Sequence, residues 1–451
     1  MSSFLIIEAN LFVILVFLIT IIIIKNFRNI DFFSIDYLKN KNIKKIKIGT
    51  SAYFLSNGGR ARITSLLLNY LLNFKLFEIY LFTINKDKNE YMLKDKINRI
   101  LIYNILDINN LIRDIKKKRI DIFIYQLSFF EEIKKLNNIK KTKIIFYQHQ
   151  SFFLWIYTNY SLFKSLYKVY KESNYIISLI PFESDYIFRI WGIKSILMNN
   201  FMTYEYNSCI PSDLSLKTIL MIGRAENKFK RFILGILAME YVNQEIPECE
   251  MIIISNISDN LNLKNTINNI NLEKSIKFYG YQLYPERFFK KASLHFFSSI
   301  SESFGLVLCE TKIYGIPNIM VGLDYLTVSN GGTIIIYDDL PEKIAKEIIK
   351  ILIKNNYKIK LGKKARKSMR IFENKRLVKK WIRLILSIYI NENIYLKKRK
   401  LDKKIEETKS IFFLQNQIKL LNERMSFFKK INFNNIKNFT FLNNLERNFT
   451  Y

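Results

Sequence analysis

A chain of 451 residues has room for two or three domains with buried cores, and 49% hydrophobic with 15% aromatic content excludes a disordered chain. The formal net charge of +32 would suit nucleic acid, anionic lipid or another anionic ligand. The lysines, however, are dispersed along an Ile- and Asn-rich chain, not gathered on one element with interleaved aromatics, so no nucleic-acid partner is expected. Cys209, Cys249 and Cys309 lack CxxC spacing and the only histidines are His149 and His295, which leaves no disulfide framework and no multi-histidine metal site and fits a reducing compartment.

Residues 1–28 read as a transmembrane anchor. Residues 4–24 form the apolar run, just long enough to span a bilayer, with Glu8 and Asn10 near its start and Thr20 inside it. There is no basic stretch before the run and no small-residue cleavage site after it, so a retained single-pass helix is expected, not a cleaved signal. Lys25, Arg28, Lys39, Lys41, Lys44 and Lys45 follow the run and no Lys or Arg precedes it, which places the body in the cytosol by the positive-inside rule. Residues 29–44 read as a polar linker.

The body alternates strands and helices. The first half opens with a strand at 46–48 and a loop at 49–59 ending in Asn57-Gly58-Gly59. A helix follows at 60–73, with Ile63, Leu66, Leu67, Tyr70 and Leu71 at helical spacing. Strands at 79–83 and 99–103, a helix at 108–118 and strands at 120–125 and 143–147 complete it, the last running into His149. The second half repeats the order. Its strands are at 217–222, 250–255, 276–279, 294–298 and 318–321; its helices are at 232–241, 285–291, 305–314 and 342–355. The weakly patterned stretch 200–216 divides the halves, giving domains at 45–205 and 206–395. Such alternation predicts an α/β fold of parallel sheets covered by helices, with ligands at the carboxyl ends of the strands. Residues 396–451 read as a helical tail, whose role as a hairpin, a homo-oligomerisation segment or a peripheral membrane helix the sequence does not choose.

The chemistry concentrates after the strands. Ser299-Ile-Ser-Glu302-Ser303-Phe304-Gly305-Leu-Val-Leu-Cys-Glu310 follows an apolar strand and enters a helix. Free N–H groups and the helix dipole at Gly305 suit a diphosphate, and the missing side chain lets it come close. Glu310, a turn and a half further on, is placed to accept hydrogen bonds from ribose hydroxyls, and Glu302 from sugar hydroxyls. Gly223-Arg224 ends the first strand of the second half, with Lys228 and Lys230 just beyond. Gly58 and Gly59 lie between the first strand and first helix. Neither a GxGxxG fingerprint nor a P-loop is present.

The run Ser-Glu-Ser-Phe-Gly-Leu-Val-Leu-x-Glu followed by Tyr314-Gly-Ile-Pro317 resembles the signature of retaining family 4, or group 1, glycosyltransferases. The resemblance spans residues 45–380 and is closer in the second half. It implies the GT-B architecture: two Rossmann-like domains, an N-terminal one for the acceptor and a C-terminal one for the nucleotide-sugar donor, with a cleft between them. It implies that Arg224 and Lys230, or Lys228 in place of Lys230, clamp the donor diphosphate and stabilise the departing nucleotide. His149 and Glu302 would contact the donor sugar. Gly58, Gly59, Ser303, Phe304, Gly305 and Glu310 would complete the donor site. The expected activity is transfer of a hexosyl unit from a UDP- or GDP-sugar to a glycan or lipid-linked acceptor with retained configuration. No cofactor or metal is expected, since Asp-x-Asp is absent and the cations do a metal's work. The alternative is a catalytically inactive GT-B membrane scaffold.

Overall fold

The computed structural model describes residues 45–56, 58–84, 86–102, 108–126, 130–151, 160–224, 228–255 and 261–390. The expected anchor (1–28), linker (29–44) and tail (396–451), together with Asn57, lie outside the described residues. No described helix is long and apolar enough to cross a membrane.

The first sheet consists of β1 (Ile46–Ala52), β2 (Phe77–Thr83), β3 (Asn98–Leu101), β4 (Ile122–Tyr125), β5 (Lys143–Tyr147), β6 (Tyr175–Ser178) and β7 (Ile196–Leu197). All pairs are parallel and the order is β3-β2-β1-β4-β5-β6-β7. Continuous Ile/Phe/Tyr runs such as Ile-Phe-Ile-Tyr in β4 suit strands covered on both faces. β1 continues to Ala52, past the expected end at Ile48. Its Gly49-Thr50-Ser51 segment reads as loop by polarity, but Thr50 is buried and its hydroxyl donates to the Ile124 carbonyl at 2.7 Å. A Cβ at Gly49 would press on Phe123, Ile120 and Phe82 at 3.1–3.2 Å. Small residues are what a central strand needs under aromatic neighbours.

Covering helices are α1 (Gly58–Leu72), α2 (Ile108–Lys118), α3 (Phe130–Asn137), α4 (Tyr160–Glu172) and α5 (Pro181–Trp191). Pro181 starts the last of these and Gly192, in the left-handed region at φ 65°, ends it.

The second sheet repeats the plan with β8 (Thr218–Ile222), β9 (Glu250–Ile254), β10 (Ile276–Tyr279), β11 (Leu294–Phe297), β12 (Asn318–Val321) and β13 (Thr333–Ile336), parallel in the order β10-β9-β8-β11-β12-β13. Its helices are α6 (Phe232–Glu245), α7 (Leu261–Asn269), α8 (Glu286–Phe289), α9 (Leu306–Ile313), α10 (Pro341–Ile353), α11 (Asn355–Ser368) and α12 (Asn374–Tyr389). In both sheets the order reverses direction beside the first strand, between β1 and β4 and between β8 and β11. Those two switch points open crevices at the strand carboxyl ends.

α12 belongs to the second half by sequence but packs on the first domain. The Trp381 ring, fully buried, meets Tyr147 of β5 edge-on at 5.3 Å. At its start the Asn374 amide accepts from the Met202 N–H (2.8 Å) and donates to Tyr70 of α1 (2.9 Å). The chain therefore crosses back and straps the two sheets together.

Candidate active site

The loop leaving β11 and entering α9 forms one wall of the cleft. Gly305 sits at φ 85°, a conformation open to glycine, and a Cβ there would also meet Leu308, Val328 and Leu326 at 3.1–3.4 Å. Phe304 is buried and meets Phe372 edge-on, so it anchors the loop from beneath. Glu302 is tied to Tyr325, whose hydroxyl donates to the Glu302 carbonyl at 3.1 Å. Ser303 is half-buried.

Lys230 and Glu302 meet in an ion pair, 72 positions apart in sequence. Lys230 also stands 5.9 Å from the Phe297 ring centre. The segment carrying it is pinned from behind. Arg231, at φ 46°, donates to the Ser298 carbonyl (2.8 Å) and pairs with Asp339 (2.7 Å) in a buried contact. Arg224 is exposed at the end of β8 and makes no hydrogen bond or ion pair with the other described residues. The Lys228 side chain lies outside the description.

The opposite wall comes from the first domain. Gly58 opens α1 at φ 83° with free space around it. At Gly59 the space a Cβ would fill is taken by Leu306, the first residue of α9, 2.9 Å away. Gly59 thus leaves room for the Leu306 side chain at the start of α9. A second bridge joins Ser151, after β5, to Ser301 at 2.5 Å between hydroxyl oxygens.

His149 is half-buried and its ring packs on Tyr147 with centroids 4.2 Å apart. Its Nε2 is enclosed and has no hydrogen-bond partner. Burial first, and the Arg60 cation second, lower its pKa to about 3, so the ring is neutral at ordinary pH. Arg60 is itself half-buried, 5.9 Å from the Tyr53 ring centre, and burial lowers its pKa too. His295 is buried in β11 with Nδ1 2.5 Å from the Asn318 side-chain oxygen, a packed residue away from the cleft.

Glu310 is buried and its partner is a cation from the other domain. Arg62 of α1 pairs with Glu310 Oε1, and the Thr203 hydroxyl donates to the same oxygen at 2.6 Å. Arg62 also donates to the Tyr91 hydroxyl (3.2 Å), which lies 2.9 Å from the Tyr281 hydroxyl. Burial opposes the Arg62 charge, but Glu310 and Tyr91 outweigh it and its pKa is raised.

The structure thus gathers Lys230, Glu302, Gly305, Gly59 and Glu310 at one cleft. Arg224 stands at the switch point of the second sheet, His149 at the end of β5. Arg60, Arg62, Tyr91, Thr203 and Tyr281 were not singled out by sequence reading. Arg60 and Arg62 follow the paired glycines directly, which is the one local signal that could have pointed to them. Among the described residues no group of His, Cys, Asp and Glu could hold a metal ion.

Residues 210–368 match the family model for glycosyl transferases group 1. The matched stretch lies within the second domain. That domain holds Arg224, Lys230, Glu302, Gly305 and Glu310, the residues of the second wall. No curated protein sequence matches the chain. Among solved structures, HepE of Anabaena in complex with UDP and glucose is similar at TM-score 0.63 and 12% identity, covering 76% of this chain and 100% of that one. Sucrose-phosphate synthase of Thermosynechococcus elongatus gives TM-score 0.62 and 14% identity over 77% of this chain and 100% of that one. A glycosyltransferase of Rickettsia africae gives 0.58 and 14% over 79% and 100%. These likenesses establish the two-sheet GT-B fold.

Proposed function

We propose that the protein is a retaining glycosyltransferase that moves a hexosyl unit from a UDP- or GDP-sugar to an acceptor hydroxyl. The observation that carries this is the meeting of the α1 and α9 starts at Gly59 and Leu306, with Lys230 and Glu302 beside them and Arg224 free. The solved HepE complex holds UDP and glucose within the same two-domain fold.

In this reading the diphosphate lies at the start of α9, where free N–H groups and the helix dipole favour an anion. Arg224 and Lys230 neutralise the charge that grows on the leaving phosphate as the anomeric carbon–oxygen bond breaks. Gly58, Ser303, Phe304 and Gly305 shape the phosphate pocket. Glu302 and neutral His149 hold sugar hydroxyls. Glu310 takes the ribose. The acceptor hydroxyl adds to the face the nucleotide leaves, and its proton passes to the leaving phosphate oxygen. No protein nucleophile and no metal are assigned.

Residues 4–24 would anchor the protein with its body in the cytosol, which fits an acceptor that is lipid-linked or used at a membrane.

One observation favours a second reading, an inactive scaffold: the Glu310 carboxylate is already neutralised by Arg62. The two readings separate on nucleotide release from a panel of UDP- and GDP-sugars. An active enzyme releases nucleotide from one donor with a chelator present and loses this in Arg224→Ala and Glu310→Ala. If no donor is turned over and none raises the thermal midpoint, the scaffold reading stands.

A further inference from the structure

Against the dispersal expected from the sequence, one segment concentrates the cation excess. Residues 354–380 hold twelve Lys and Arg against one acid, Glu373, while the whole chain holds 71 against 39. The centre of this segment is α11, which contains no acidic residue.

One face of α11 is seated by close backbone approach. Leu361, Gly362 and Ala365 are buried; a Cβ on Gly362 would come within 2.3 Å of the Gly315 carbonyl. A Cβ on Gly332 would come within 2.4 Å of Leu361 and Ala365 backbone atoms. These contacts fix the rotation of the helix. The opposite face therefore presents Lys360, Lys363, Lys364 and Lys367, at i, i+3, i+4 and i+7, with Asn356 and Ile359 beside them. All four lysines are exposed and form no ion pair or hydrogen bond with the other described residues.

Like charges three and four residues apart oppose the helix that carries them. A fixed row of four unneutralised ammonium groups is stabilised when an anionic surface meets it. Ile359, beside the row on α11, is 37% exposed; in the neighbouring elements Ile353, the last residue of α10, and Ile371, after α11, are 57% and 62% exposed. Lysines interleaved with exposed aliphatic groups suit a lipid interface, where ammonium groups meet headgroup phosphates and methyl groups enter the acyl boundary. Single-stranded nucleic acid would call for exposed aromatic rings to stack on the bases. Here Phe372 is buried and Tyr357 is packed against the core.

We propose that the lysine face of α11, with Ile353, Ile359 and Ile371, docks on a membrane surface carrying anionic lipid. This stands apart from the glycosyltransferase reading and from residues 4–24, because it concerns the preference for anionic over neutral lipid.

The test is co-sedimentation of the full chain with vesicles of phosphatidylcholine alone or mixed with phosphatidylglycerol. The wild type binds the mixed vesicles more tightly, and added salt weakens the preference. Changing all four lysines to Gln lowers binding to mixed vesicles by at least about tenfold and leaves binding to phosphatidylcholine unchanged. Changing all four to Arg keeps the preference. The proposal fails if the wild type does not prefer anionic vesicles. It fails equally if the Gln variant binds them as the wild type does while losing affinity for an oligonucleotide, or if the Arg variant loses binding as the Gln variant does.

Discussion

Two carboxylates in the cleft are each held by a cation from another element: Glu302 by Lys230, and Glu310 by Arg62. The second pair is the more buried, and its fate on mutation follows from that. Arg62→Met leaves a buried carboxylate without its cation and is expected to cost about 3–5 kcal/mol. Arg62→Met with Glu310→Gln removes both charges and costs less than Arg62→Met alone; thermal or denaturant unfolding of the two variants and the wild type reads the difference. His149 supplies a pH dependence. Its folded pKa of about 3 lies below the ordinary value of 6.5, so the unfolded state binds more protons between them. The neutral ring's contribution to stability is therefore full above about 6.5 and is lost as pH falls through that window towards 3. His149→Asn should flatten the fall in thermal midpoint as pH drops from 6.5 towards about 3. Glu302, Glu310, Lys230 and Arg224 are legible in sequence because each sits in a short motif. Arg62 is not, since its partner lies 248 positions away.

Among elements, α1 and α9 matter most, because they meet end to end at Gly59 and Leu306. Gly59→Val should displace the Leu306 side chain at the start of α9. The expected result is a fall in kcat/KM of roughly tenfold or more, as small misplacements cost in positioned sites, with little change in thermal midpoint. Leu306→Ala in the same chain should restore part of the activity, which sugar-nucleotide turnover of the single and double variants measures. At α9 the Lys312 ammonium is buried and donates to the Val328 and Asn330 carbonyls at 2.5 and 2.9 Å. Lys312→Met leaves those carbonyls unpaired and should destabilise by about 1–3 kcal/mol in a chemical denaturation curve. Strands with apolar runs, such as 143–147 and 276–279, are legible to the residue. The continuation of β1 through Gly49-Thr50-Ser51 is not, because only the neighbouring strands and aromatic rings make small polar residues favourable there.

For the molecule as a whole, two domains of one plan are joined twice, once by the segment between β7 and β8 and once by α12. The strap rests on Trp381 and Asn374. Trp381→Ala opens a cavity between α12 and β5 and should cost about 3–5 kcal/mol. Because that cavity lies at the joint, limited proteolysis should then cut between the domains at a lower temperature than in the wild type.

The sequence by itself determined the alternation of strand and helix, and the loop from Ser299 into the helix that carries Glu310. Each of these is a local pattern of burial, turn residues and helix starts, and local patterns survive without a partner. Tertiary structure alone decided that α12 returns to the first domain, that Arg62 rather than solvent meets Glu310, and that four lysines of α11 share one outward face. Those three depend on which surfaces are pressed together. Helix periodicity spaces the lysines, but only the glycine contacts at Gly315 and Gly332 fix which way they point.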